Sequence, residues 1–209
     1  IRNMGGVRKK LPFTYIFMLI GTLALTGFPF LSGFYSKDAI IEFAYLRNSS
    51  LGNYAVFIGI FTAFLTSIYS WRLFFKTFHG SYNNKKIPIN ETHESPLTML
   101  IPLVFLGIGA LFAGFLFKET FIGHHSHAFW KTSIFFINEI KHNPIPLWLL
   151  LITPILVVIS IPLSFYYYIS NTKILEEFKN TNLPLYNFLL NKWYVDELYN
   201  ALFVNPAKK

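Results

Sequence analysis

Four long apolar runs, separated by shorter polar stretches, dominate the pattern of the chain. They are Leu11–Leu46, Tyr54–Phe78, Leu97–Phe117 and Leu147–Ile169. Each run reaches the roughly 20 apolar residues that a transmembrane helix needs, and none shows the short alternating segments of a membrane β-strand. The pattern therefore predicts an all-α, polytopic membrane helix bundle with four transmembrane segments.

The first run is too long to be one simple span. The 36 residues between Lys10 and Arg47 would extend about 54 Å as a continuous helix, whereas the hydrocarbon core is about 30 Å thick. Pro29 lacks a backbone donor and disfavours the helical conformation of the residue before it. We expect the first segment to be broken at Gly27–Pro29, with a second half-helix that begins at Lys37 and has Ser36 as its N-cap.

The runs and their connections define five predicted regions. They are a basic inner loop with the broken helix (1–46), two transmembrane helices (47–117), an outer loop (118–146), a transmembrane helix (147–169) and an inner amphipathic tail (170–209). Thirteen basic residues lie in the segments assigned inside and four in those assigned outside, as the positive-inside rule requires. Because the sequence opens at Ile1 with a basic loop fragment, we expect a piece of a larger membrane protein.

Composition narrows the classes of function. Only 13% of the residues are charged and 53% are hydrophobic, whereas a soluble domain has about 25% charged residues. A soluble enzyme domain is therefore disfavoured. The net charge of +8 does not indicate a nucleic-acid partner, because inner loops of membrane proteins are basic. Cysteine is absent, and no phosphate-binding glycine motif or nucleophile elbow occurs, so we expect no cofactor and no metal site in this chain.

Lys37 is the main candidate for chemistry, and hydropathy alone leaves two interpretations open. A lysine beside an interrupted membrane helix is costly unless it is hydrated or paired, and broken helices in transporters mark ion sites. Such a lysine could load and release a proton. Alternatively, the span ends near Tyr35, and Lys37 lies in an amphipathic turn exposed to water. Asp38 follows Lys37 directly.

Three other polar or small-residue patterns have a structural interpretation beside a functional one. Thr62, Thr66 and Ser70 share a helix face and could line a hydrated path, although packing is the more frequent use of such hydroxyls. Ala110 and Gly114 form a small-xxx-small pair that favours close helix packing. The histidines of the 124–127 cluster could bind a metal, but solvated loop histidines are the simpler interpretation.

Several stretches resemble the antiporter-like subunits of respiratory complex I, NADH-quinone oxidoreductase, and specifically their C-terminal portion. They are Met4–Pro12, Gly27–Pro29, the Ser-Gly-Phe-Tyr-Ser-Lys-Asp motif at 32–38, Thr62–Gly80 and Lys192–Tyr199. The resemblance implies an antiporter core of two inverted five-helix repeats, each with one broken helix. It also implies that Lys37 is the broken-helix lysine of the second repeat, in the outward-side proton channel, with Asp38 tuning or orienting the site.

This resemblance also sets expectations about function and surroundings. It implies a membrane-arm subunit that couples NADH:quinone electron transfer to proton translocation. Other membrane-arm subunits and the lipid bilayer would be its partners, and NADH, flavin, iron–sulfur clusters and quinone would bind to other subunits. We expect a multi-pass location in a bacterial inner membrane, with the mitochondrial inner membrane as the alternative. The alternative functions are a subunit of a multisubunit cation/proton antiporter and a truncated membrane fragment without transport.

Overall fold

The computed structural model describes residues 4–83, 88–123, 125–133 and 145–208. Within these ranges the regular structure is helical, and no strand occurs. The α-helices are α1 (Pro12–Thr26), α2 (Ser32–Leu46), α3 (Ser50–Phe78), α4 (Leu97–Phe121), α5 (Ser126–Trp130), α6 (Leu147–Phe165), α7 (Thr172–Thr181), α8 (Leu183–Leu190), α9 (Val195–Tyr199) and α10 (Asn205–Ala207). Shorter helical turns lie at Val7–Lys9, Ile89–Glu91, Tyr166–Ser170, Lys192–Tyr194 and Asn200–Val204.

The long helices agree with the predicted membrane bundle. Among the described residues, three helices are long and apolar enough to cross a membrane: Ser50–Phe78, Leu97–Phe121 and Leu147–Ser170. The helix α1 is apolar but shorter, with 15 residues. At 1.5 Å per residue it extends about 22 Å, which is less than the thickness of the hydrocarbon core. The first predicted segment therefore consists of α1 followed by α2.

The helix α4 runs beside both α1 and α2. A Cβ atom placed on Gly107 would lie 2.8 Å from Phe17 of α1. One on Gly114 would lie 2.5 Å from the Cα atom of Ser32 in α2. From Gly107 to Gly114, the contacts of α4 move from Phe17 of α1 to Ser32 of α2. The helices α1 and α2 therefore lie one after the other along α4. The predicted close packing at Gly114 is confirmed.

A hydrophobic core, mostly of aromatic side chains, joins the start of α1 to the end of α3. Its buried members are Val7, Trp71, Phe74, Phe75 and Phe78. The helix α3 also packs along α6, where the rings of Phe75 and Phe165 meet edge to face, 5.4 Å apart. The outer side of α4 is apolar and exposed, as at Phe105 and Phe115, which is the pattern of a helix that faces lipid or another membrane helix.

Residues 170–209 form a second compact unit, separate from residues 1–169. It contains α7 to α10. Its aromatic contacts include those of Phe188 with Trp193 and of Tyr199 with Phe203.

Candidate functional site

The link between α1 and α2 contains the break expected from the sequence. Gly27 follows the last residue of α1 and adopts a left-handed φ of +84°, which costs glycine little because it has no Cβ atom. Phe30 has a φ of 69°, which is unusual for a residue with a side chain. The backbone therefore cannot continue as one helix here, and the predicted break at Gly27–Pro29 is confirmed.

Lys37 supplies a hydrogen bond that Pro29 cannot make. In an uninterrupted helix, the carbonyl oxygen of Leu25 would accept from the amide of residue 29, but proline has no amide hydrogen. The Nζ atom of Lys37 donates instead to the Leu25 oxygen, at 2.6 Å. A cation at a helix C-terminus also interacts favourably with the negative end of the helix dipole. The half-buried Lys37 side chain is thus directed back to the break.

Two glycines allow this approach. A Cβ atom on Gly33 would overlap the carbonyl oxygen of Ala24, so glycine is needed for the first turn of α2 to lie against the end of α1. A Cβ atom on Gly27 would lie 3.2 Å from Cδ of Lys37, which leaves little space along the aliphatic stem. Because they lack a Cβ atom, the glycines on either side of Pro29 allow the two half-helices to approach closely and leave room for the lysine stem.

The second half-helix begins earlier than predicted. It starts at Ser32, with Leu31 as the N-cap, so a start at Lys37 with Ser36 as the cap is wrong. The Ser36 hydroxyl donates to the carbonyl oxygen of Gly33 at 3.2 Å and is part of the helix. The physical reason is that the turn is completed by Gly27 and Phe30, well before Ser36. Lys37 and Asp38 consequently lie in the second turn of α2.

Asp38 belongs to a line of charged groups. Glu42 lies one turn further along α2, and its i, i+4 spacing places it on the same face as Asp38. Both side chains are half-buried. Lys118 of α4 interacts electrostatically with Glu42, and its Nζ atom lies 5.5 Å from the centre of the Tyr35 ring. Sequence reasoning did not select Glu42, although its spacing from Asp38 was the signal that could have found it.

The hydroxyl residues of α3 serve several different purposes. Thr66 is half-buried and donates to the Thr62 carbonyl of its own helix, at 2.7 Å. Ser67 is buried and hydrogen-bonds Ser160 of α6. Ser70 is buried without a hydrogen-bond partner among the described residues. The three positions singled out from the sequence are therefore not brought together as one path, and Ser67 and Ser160 indicate packing between helices.

The histidine cluster falls only partly within the described structure. His124 lies outside the described residues, while His125 and His127 border or begin the short helix α5. In the ranges that the structure covers, no group of three or more His, Cys, Asp or Glu side chains could hold a metal ion.

At the opposite end of α1, Tyr15 and His79 meet. The Tyr15 hydroxyl lies 3.4 Å from Nε2 of His79, and the Arg8 guanidinium lies 4.8 Å from the centre of the Tyr15 ring. Burial, and then the positive charge of Arg8, lowers the pKa of His79 from its ordinary value of 6.5. His79 follows the last residue of α3, so this group titrates at the end of a span.

Glu94 also reaches α1. Glu94 lies in the segment before α4, and its carboxylate accepts from the amides of Phe13 and Thr14. No local sequence motif predicts a contact between Glu94 and residues about 80 positions earlier, so the sequence alone offered no signal for it.

Comparisons with known proteins agree with this arrangement. Residues 1–66 match the family described as NADH:quinone oxidoreductase/Mrp antiporter, transmembrane; this range includes α1, the break and α2. The chain is 43% identical over 212 residues to NADH-ubiquinone oxidoreductase chain 5 of Phytophthora infestans, an alignment that covers 98% of this chain and 32% of the relative. It is 32% identical over 278 residues to NADH-quinone oxidoreductase subunit L of Rhodobacter capsulatus, covering 100% of this chain and 39% of the relative.

The chain therefore spans about a third of the length of the curated relatives it matches. Its apolar helices and these relatives identify a multi-pass membrane protein. Nearly the whole chain is therefore similar to NADH-ubiquinone oxidoreductase chain 5 and NADH-quinone oxidoreductase subunit L, and its first 66 residues match the NADH:quinone oxidoreductase/Mrp antiporter family.

Proposed function

We propose that this chain is the C-terminal part of a complex I membrane-arm subunit that couples NADH:quinone electron transfer to proton translocation. In this proposal Lys37 is a proton relay, and Asp38 lies beside it to tune or orient the site. The proposal extends to this chain the activity that its relatives' names describe, NADH-ubiquinone oxidoreduction. It is supported by alignments that include nearly the whole chain.

The observation that carries the proposal is the hydrogen bond from Lys37 to Leu25. A membrane helix tolerates irregular backbone only where protein or water satisfies it. Here an ammonium group, which can lose a proton, completes the hydrogen bonding of the break at 2.6 Å. The charged amine therefore holds the break more strongly than the neutral amine does.

The charge of Lys37 determines the strength of this bond. A protonated amine is attracted by the partial negative charge of the α1 C-terminus. After a proton leaves, that attraction is lost, and the Nζ atom can accept a hydrogen bond as well as donate one. Asp38 and Glu42 lie on the next part of α2 and supply carboxylates on one helix face. Protonation of Lys37 thereby changes the contact between the two half-helices.

The proposed partners follow from the same family. Other membrane-arm subunits would cover the exposed apolar helix faces, together with lipid. Iron–sulfur clusters need cysteine ligands and the chain has no cysteine, so we assign the clusters to other subunits. Flavin, NADH and quinone are assigned to other subunits as well. We place the protein in a bacterial inner membrane, and the mitochondrial inner membrane is the alternative, since relatives come from eukaryotes and a bacterium.

The test uses membrane vesicles that contain the complete complex. We expect Lys37→Ala to lower the number of protons moved per NADH oxidised, because it removes the amine proposed to carry the proton at the break. Lys37→Arg should keep the helix contact but also lose pumping, since a guanidinium does not release protons in proteins. Lys9→Ala, at an exposed lysine, is the matched control. Normal pumping by an assembled Lys37→Ala complex would remove Lys37 from the mechanism.

The family description favours a second candidate function. It includes Mrp antiporters as well as NADH:quinone oxidoreductases, so the chain could belong to a cation/proton antiporter driven by ion gradients. The two candidates differ in what accompanies the chain. Purification of the tagged chain from native membranes should recover NADH-oxidising activity in the first case. Ion-driven proton exchange without NADH oxidation would support the second.

A further inference from the structure

The first turn of α1 has no cap of its own. Its N-cap residue, Leu11, has no side-chain acceptor, and the first helical residue is Pro12, which has no amide hydrogen. No acidic residue lies in the first turn. The amide of Tyr15 donates to the carbonyl oxygen of Leu11. Local sequence therefore leaves two amides of the helix start, those of Phe13 and Thr14, without an acceptor.

Glu94 supplies both missing acceptors. The Phe13 amide donates to Oε2 of Glu94 at 3.0 Å, and the Thr14 amide donates to Oε1 at 3.3 Å. The Thr14 hydroxyl also donates to Oε1. A side-chain acceptor for the second and third helical amides is what an N-cap residue normally provides from its own position. Here the cap comes from 80 residues away.

The position of Glu94 also connects two helices. It lies two residues before Pro96, the N-cap of α4. The helices α1 and α4 therefore begin at the same end of the bundle and are joined there by the Glu94 carboxylate. Further along, α4 packs against Phe17 and then against Ser32. A displacement where α1 and α4 begin would therefore also change these packing contacts, the second of which lies next to the break.

Groups of opposite charge lie at the two ends of α1, and each complements the helix dipole there. The carboxylate of Glu94 lies at the N-terminus, where the helix dipole is positive, and the ammonium of Lys37 lies at the C-terminus, where it is negative. Neither group belongs to α1. A helix of 15 residues is close to the length at which isolated helices are marginal, so its position depends on such outside contacts.

We propose that Glu94 is a positioning residue for the relay site: it holds the start of α1 so that the Leu25 carbonyl at the other end meets Lys37. The inference rests on the proposed function of Lys37 for its significance in transport. The structural link between Glu94, α1 and Lys37 is separate from that function and is tested separately.

The first measurement is hydrogen–deuterium exchange of the intact complex in lipid nanodiscs. In Glu94→Ala, we expect the amides of Phe13 and Thr14 to exchange about fivefold faster or more, because a lost cap of ordinary strength has that effect. Glu94→Gln keeps an acceptor oxygen and should restore part of the protection. Glu91→Gln, at an exposed residue of the same segment, is the control and should leave exchange unchanged. Unchanged exchange in Glu94→Ala would overturn the cap.

The second measurement is the rate at which Lys37 reacts with an amine-directed reagent, read by mass spectrometry. Glu94→Ala should raise this rate about twofold or more, because local fraying frees the Lys37–Leu25 bond, and Glu94→Gln should return it toward the wild-type value. A general loosening of the fold would instead accelerate amide exchange in α3 and α6 as well. Faster exchange at Phe13 and Thr14 with an unchanged Lys37 rate would overturn the positioning role.

Failure of the two proposals can be distinguished. If Lys37→Ala pumps normally while Glu94→Ala alters Lys37 reactivity, the proposed function fails and the link between Glu94 and Lys37 stands. If Lys37→Ala stops pumping while Glu94→Ala changes neither exchange nor reactivity, the proposed function stands and the positioning role is wrong.

Discussion

Two regions of the bundle contain hydrogen-bonded polar groups, and the regions use them differently. At the break between α1 and α2, a backbone carbonyl freed by Pro29 accepts from the Lys37 ammonium. Along the interface of α3 and α6, small hydroxyls fill the space between backbones, and Ser67 pairs with Ser160. Ser70, Thr153 and Ser164 are buried there without a hydrogen-bond partner among the described residues.

The difference helps to separate polar residues of a membrane helix that serve packing from those that are candidates for proton transfer. A serine can satisfy itself on its own helix, as Ser160 does by donating to the Val157 carbonyl at 2.6 Å, so its presence says little about transport. A lysine has no acceptor capacity while charged and needs a partner from elsewhere in the fold. The lysine beside the broken helix can change its charge by losing or gaining a proton, whereas a pair of serine hydroxyls cannot.

The largest expected effect concerns the contact between the half-helices. Gly33→Ala places a Cβ atom on the carbonyl oxygen of Ala24, and because both are fixed by backbone, α2 must move. We expect a loss of about 3 kcal/mol in the free energy of unfolding, measured by denaturant titration in lipid–detergent micelles. Gly21→Ala is the control, since nothing lies within 4 Å of its added Cβ atom; it should be neutral or stabilise by up to about 1 kcal/mol. Equal stability of the two variants would contradict the close approach at the break.

A smaller effect is expected from removal of the Lys37 ammonium. Lys37→Met keeps the aliphatic stem but leaves the Leu25 carbonyl without its donor, at a cost of about 1–3 kcal/mol. Lys37→Arg retains a donor and should lose less. The same denaturant titration measures both variants. If Lys37→Met were as stable as the wild type, the bond to Leu25 would not contribute to the fold.

The break itself could be predicted because its causes are local. Gly27 and Pro29 act through their own backbone restrictions, and a run of 36 residues with only three charges exceeds one span. The start of α2 could not be predicted in the same way. Ser36 followed by Lys37 and Asp38 has the composition of a helix start, but the contact of Gly33 with Ala24 allows the helix to begin one turn earlier.

The partners of the charged groups were beyond sequence reasoning for a different reason. Which carbonyl Lys37 meets depends on how the chain folds back, and Glu94 contacts residues 80 positions away. Periodicity and propensity describe one element at a time and carry no information about such pairs. The exception is Glu42, whose spacing from Asp38 is a property of one helix and could have been recognised.

The hydroxyl pair between α3 and α6 should contribute less than the break. A double-mutant cycle with Ser67→Ala and Ser160→Ala measures the coupling directly, and we expect about 0.6 kcal/mol, the usual size for hydrogen bonds between membrane helices. Thr66→Ala is the control, because Thr66 bonds to its own helix. Proton pumping should be unchanged in all three variants. Loss of pumping with normal assembly would instead assign this interface to a transport path.

The smallest expected effect is a pH dependence at the other end of α1. Because burial and then Arg8 lower the pKa of His79 from 6.5, the folded protein keeps the imidazole neutral at pH values where the unfolded chain has bound a proton. The stability contribution is therefore fully present above pH 6.5 and is lost as the pH falls from 6.5 toward the folded pKa. Denaturant titrations between pH 7.5 and about 5 should show this decline in the wild type, and His79→Gln should reduce it.

His125→Gln removes an exposed histidine and should leave the decline unchanged, which separates His79 from the general effect of acid. Tyr15 contacts His79 from α1, and the positive charge of Arg8 acts on it from the turn before α1. Arg8→Gln should weaken the decline without abolishing it, because burial, the larger cause, remains. A decline of equal slope in His79→Gln and the wild type would mean that carboxylates elsewhere account for the acid sensitivity. The end of α1 near His79 would then be, like the interface of α3 and α6, a region whose polar groups serve packing alone.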